Sequence, residues 1–182
     1  LAHNQIKYIY IDFKKLPKLK AILLNDNKLV GLPASFYSLQ YVSKLDLSDN
    51  RITNMPEGIE HMVQLTSLAI NNNELKELPS GVSKLYNLNY LSTYGNKLET
   101  YPSVSLLTKL ESLFIGDNEL KEFPDGMKNL KRLRLLEIQE NSFDTFPTFI
   151  YSLPELERIW LDEKLNSLPG FIPVQKPQFH FR

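Results

Sequence analysis

Seven side chains in the second half of the chain offer chemistry for recognition: Tyr90, Tyr94, Phe114, Leu135, Glu137, Arg158 and Trp160. Tyr, Trp and Arg are enriched where proteins bind one another, because each combines large rigid area with a polar or charged tip. Reactive chemistry has far less to work with. Cysteine is absent, which excludes disulfides, thiolate nucleophiles and thiolate metal sites. The three histidines, His3, His61 and His180, are far apart, and no HExxH, GxSxG, GxGxxG or phosphate-loop motif occurs. The residues therefore predict a binding protein with no catalytic site, no cofactor and no metal.

What must position these seven residues is a repeat. Asn4, Asn27, Asn50, Asn73, Asn96, Asn118 and Asn141 recur every 23 residues, with one step of 22. Around each Asn the apolar residues keep the same places, so that full units begin at Leu19, Val42, Leu65, Leu88, Leu110, Leu133 and Leu156. After the Asn comes an apolar residue followed by proline: Leu32-Pro33, Met55-Pro56, Leu78-Pro79, Tyr101-Pro102, Phe123-Pro124 and Phe146-Pro147. Self-similarity at one period means stacked copies of a single small unit.

Each part of the unit has a physical reading. A core such as Ile22-Leu23-Leu24 alternates as a short strand with one face inward. A strand that short cannot bury its face alone, so neighbouring copies must share a core. The Asn sits where the chain turns inward, and its amide can satisfy backbone groups left unpaired there. The proline stops helix and favours an extended return. Gly58, Gly81 and Gly126 occupy one turn position in three units, where a positive φ is expected.

The stretch Leu45-Asp46-Leu47-Ser48-Asp49-Asn50-Arg51-Ile52 matches LxxLxLxxNxL, and the whole pattern resembles the leucine-rich repeat family. The 23-residue form is similar to that of many bacterial members. The resemblance covers about residues 1–169. It implies an α/β, right-handed solenoid with a parallel sheet on the concave face and mostly irregular convex returns. It also implies a single domain over 1–182: a partial unit at 1–18, full units over 19–169 and a C-terminal cap at 170–182. The expected function is protein–protein interaction on the concave face. The alternatives are a glycan-binding surface protein, or the substrate-targeting module of a larger effector or enzyme.

Residues flanking the two inward strand aliphatics point out of the concave face. In the first units these are mostly small or polar, whereas the seven residues above all fall on this face in the units from Leu88 onward. Exposed aromatics on a regular sheet mark a binding patch. The competing expectation is that they pack on each other across strands, or that the C-terminal tail covers Trp160. Tyr90, Tyr94 and Trp160 would also suit sugar stacking.

Lys plus Arg and Asp plus Glu both number 21, so the formal net charge is zero and neither nucleic acid nor an anionic membrane is attracted. No run approaches the apolar length of a spanning helix, so membrane insertion is not expected. An acidic stripe (Asp26, Asp49, Asp117, Glu140, Glu163), broken by Asn72 and Gly95, predicts solvated turns with Asp capping local amides rather than a calcium site. Three departures stand out: Thr93 in place of a strand aliphatic, one residue missing between Pro102 and Leu107, and loss of the frame Asn near Glu163-Lys164. Pro169, Pro173 and Pro177 predict an extended tail. The frame opens inside a unit, which predicts further chain upstream. Composition and the resemblance together suggest a bacterial source, and the resemblance implies an exported or surface-associated protein, with a cytoplasmic one as the alternative.

Overall fold

The computed structural model describes residues 1–170 and 177–181. Eight short strands make one open sheet: β1 (Ala21–Leu23), β2 (Lys44–Asp46), β3 (Ser67–Ala69), β4 (Tyr90–Ser92), β5 (Ser112–Phe114), β6 (Leu135–Glu137), β7 (Arg158–Leu161) and β8 (Gln178–Phe181). Each pairs in parallel with the next in chain order. The register follows the repeat, with Ala21 beside Lys44, Lys44 beside Ser67, and Tyr90 beside Ser112 across the short step. One residue of each strand from β1 to β6, from Ile22 and Leu45 to Leu136, faces the core shared by all units, and β7 adds two, Ile159 and Leu161.

The convex side is more regular than the irregular returns expected. Six of the seven full units carry a 3-10 turn of three to five residues there, from Ala34–Ser38 to Glu163–Ser167, and no α-helix occurs among the described residues. Pro33 and Pro79 set the entry in extended conformation. Little more than one such turn fits before the next Leu must re-enter the core. The unit at Leu88, one residue short, has none.

The frame Asn residues from Asn27 to Asn141 are buried, and each bonds the backbone of its own and the preceding unit. Asn4 is exposed, and among the described residues its side-chain amide bonds the Leu1 and Ala2 carbonyls of its own unit. At this end the apolar side chains line an open cleft of about 500 Å³, with Tyr10 89% exposed beside it.

Two sequence readings need correction. Gly58 and Gly126 have φ of 111° and 85°, but Gly81 does not have positive φ; it lies inside the turn Ser80–Lys84, where a Cβ would strike the Glu60 carboxylate. The acidic stripe serves backbone conformation more than amide capping. Asp26, Asp49, Asn72, Asp117 and Glu140 all take φ between 50° and 57°, and Gly95 holds the same slot at 67°. Asp and Asn tolerate that left-handed turn better than most residues. Asp49 accepts from the Asn72 amide at 2.7 Å, and Asp26 meets His3 at 2.9 Å. Glu163 instead opens a 3-10 turn.

Two departures from the repeat compensate each other. Thr93 is wholly buried, and its hydroxyl donates to that of Tyr101 at 3.4 Å; Tyr101 stands where other units carry Leu, Met or Phe. Burial pushes the Tyr101 phenol well above its usual range, more than the Thr93 bond lowers it. Thr93→Val alone is expected to cost about 1–2 kcal/mol, because it strands a buried hydroxyl, while Thr93→Val with Tyr101→Phe should return to within about 1 kcal/mol of the parent. Urea unfolding of the four proteins checks this. The phenol's raised value makes its contribution constant below about pH 10 and lost as pH rises beyond it, so Tyr101→Phe should blunt alkaline unfolding.

Candidate functional site

The sheet carries all seven predicted residues on its concave side but divides them. Tyr90 projects from β4, Phe114 from β5, Leu135 and Glu137 from β6, and Arg158 and Trp160 from β7; Tyr94 lies two residues beyond β4. Register puts Glu137 between Phe114 on one side and Trp160 on the other. Parallel neighbours lie about 4.8 Å apart, close enough for one ligand side chain to touch several.

Tyr90, Tyr94, Phe114 and Glu137 line one open depression of about 390 Å³, together with Asn71 and Ser92. The Tyr90 and Phe114 rings lie 5.6 Å apart at 49°, so they pack on each other yet each stays half-buried. Leu135 and Arg158 line a separate hollow of about 240 Å³, beside the ion pair of Arg134 with Glu157. Trp160 lies in neither. It stacks on His180 of β8 at 5.1 Å and 18°, so the tail meets its flank and leaves it half-buried. The tail thus extends the sheet beside Trp160. Pro177 is buried just before β8; Pro173, part of the tail reading, lies outside the described residues.

A glycine shapes the packing beside the first depression. A Cβ on Gly116 would lie 3.2 Å from the Tyr94 ring and 3.0 Å from the Gln139 carbonyl, so glycine lets both approach. Gln139 is wholly buried, and its amide donates a short bond to the Glu137 carboxylate. This bond holds the carboxylate in place on the sheet. The carbonyl oxygens of the Asn71 and Gln139 side chains are buried without a donor. Among the described residues no Lys or Arg pairs with Glu137.

Sequence reasoning missed Asn71, Gln139 and His180. Asn71 and Gln139 occupy the same row as Tyr94, one and two units away, so the row itself could have pointed to them. For His180 the available signal was the alternation Phe179-His180-Phe181, in which Phe179 packs against the core. No group of three or more His, Asp or Glu able to hold a metal occurs among the described residues, and none contains a helix long and apolar enough to cross a membrane.

Residues 17–75 match the family model described as leucine rich repeat. A leucine-rich repeat protein of Leptospira interrogans superposes with a TM-score of 0.74 at 30% identity, over 88% of this chain and 47% of that one. This chain has a leucine-rich repeat fold. Internalin C2 of Listeria monocytogenes shares the fold at 23% identity and a TM-score of 0.74, over 88% of this chain and 69% of its own. So does a plant peptide hormone receptor, RGFR1, solved in complex with RGF2, at 22% identity and a TM-score of 0.73, over 81% of this chain and 26% of the receptor. The leucine-rich repeat chain thus spans less than half of the Leptospira and plant proteins. No curated protein matches its sequence. Leucine-rich repeat domains commonly mediate protein–protein interaction, and the family is typically a non-enzymatic binding scaffold.

Proposed function

We propose that this leucine-rich repeat chain binds a protein partner on its concave face, centred on Tyr90, Tyr94, Phe114 and Glu137, with Leu135, Arg158 and Trp160 extending the contact. The carrying observation is the open depression whose lining joins three half-buried aromatic rings to a carboxylate, on a sheet whose earlier strands present mostly small or polar residues. Ring edges and a charge within one hollow suit a protein side chain. A flat stacking platform for a sugar is less well supported, because the Tyr90 and Phe114 rings are tilted against each other. The likeness to the Leptospira protein supports a bacterial source.

The immobilised chain, exposed to a bacterial extract, should retain a protein that the double variant Phe114→Ala, Trp160→Ala retains at least about tenfold less well. Because both rings are only half-buried, the melting temperature should fall by no more than about 5 °C. A fall beyond about 15 °C would show that the rings are packing rather than contact. Undiminished retention would place binding elsewhere.

A further inference from the structure

The depression around Glu137 has a chemistry narrower than general protein binding. Its lining offers a carboxylate and the rings of Tyr90, Tyr94 and Phe114. Glu137 accepts from Gln139 but has no cation among the described residues. A carboxylate accepts about four hydrogen bonds, so one amide leaves most of its capacity open. The faces of aromatic rings carry negative potential and attract an ammonium or guanidinium group. Every one of these features favours a positive charge with several donors, and an anionic group brought here would meet Glu137 with no cation to offset it.

We infer that this depression receives a lysine or arginine side chain of the partner, whose charged end reaches Glu137 while its methylene stem lies against Tyr90 and Phe114. The stem matters as much as the charge, because long cationic side chains bury their apolar stems along just such surfaces. Gln139 acts as a positioning residue by holding the carboxylate, and Gly116 gives it the room to do so. This inference rests on the concave-face reading above and specifies what that face selects.

The test uses peptides of twelve random residues displayed on phage and selected on the whole chain, then sorted by whether Phe114→Ala releases them. Those released should share one lysine or arginine. Replacing it by neutral norleucine or citrulline should weaken binding about tenfold to the parent chain and less than about twofold to Glu137→Gln, since a lost charge matters only where its partner charge remains. If the released peptides share no cation, or the replacement costs the same in both proteins, the cationic pocket is wrong and concave-face binding stands. If no selected peptide is released by Phe114→Ala, the concave-face reading fails and the inference with it.

Discussion

Asn73→Ala is expected to destabilise the chain by about 3–5 kcal/mol, whereas Asn4→Ala should cost less than about 1 kcal/mol, both read from urea unfolding followed by circular dichroism. The difference lies in what each amide joins. Asn73 donates to the Leu47 carbonyl of the preceding unit at 3.0 Å and to the Ile70 and Asn71 carbonyls of its own at 3.3 and 3.0 Å. Its side-chain oxygen accepts from the Ile52 N–H at 2.9 Å. The carbonyls keep other donors: Asn50 still reaches Leu47, Asn96 still reaches Ile70, and the Asp49 N–H still reaches Asn71. The Ile52 N–H has no substitute acceptor, and Ile52 is wholly buried. An orphaned buried donor costs about 1–3 kcal/mol, and the lost bonds and the void add to that. Asn4 is exposed, so water replaces what it loses.

Asn73→Asp separates the amide's two halves. The carboxylate still accepts from Ile52 but can no longer donate, and it brings a negative charge against three carbonyl oxygens. At pH 7 it should cost at least as much as alanine, and part of the loss should return as falling pH protonates it and restores a donor. In a solenoid each unit touches only its neighbours, so a weak joint at Asn73 severs the array there instead of loosening it evenly.

Much of this was legible in the sequence because the repeat is a ruler. A period of 23 residues with one step of 22 matches the register of β1 through β7, including the short step from Tyr90 to Ser112. It also put the seven candidate residues on one face. A period reports direction but not the volume of neighbours across strands, so it could not divide them between hollows. That division depends on local packing, as where Gly116 lets the Tyr94 ring and Gln139 close in on the sheet beside the first hollow. Thr93 and Tyr101 were each visible as departures, yet eight residues of separation hid their contact inside the turn of the unit. The eighth strand was hidden for another reason. Gln178 pairs with Arg158 outside the 23-residue step, and only its two Phe residues betray a strand.

Gly126→Ala should be the more damaging of two matched glycine substitutions, costing about 3 kcal/mol or more against about 1–2 for Gly58→Ala. Sequence places the two glycines identically, two residues after Pro124 and Pro56, and both have positive φ. An alanine at either site bears that conformational strain. At Gly58 the strain is the whole cost, because a Cβ would rest 3.5 Å from His61 and 3.6 Å from the Tyr37 ring, ordinary contact with side chains. At Gly126 a Cβ would lie 2.4 Å from the Ser105 Cα and 2.5 Å from its nitrogen, which is backbone and cannot swing away. Ser105 belongs to the unit that lacks one residue and its 3-10 turn, and that shortened return is tied to the next by the bond from Val104 N–H to the Asp125 carbonyl at 2.8 Å. Restoring the missing residue, by inserting an alanine between Ser103 and Val104 in the Gly126→Ala protein, should recover at least half of the loss in urea unfolding if the clash arises from the short return. No recovery would mean that φ at Gly126 is the dominant cost, and the gap between the two substitutions would then close.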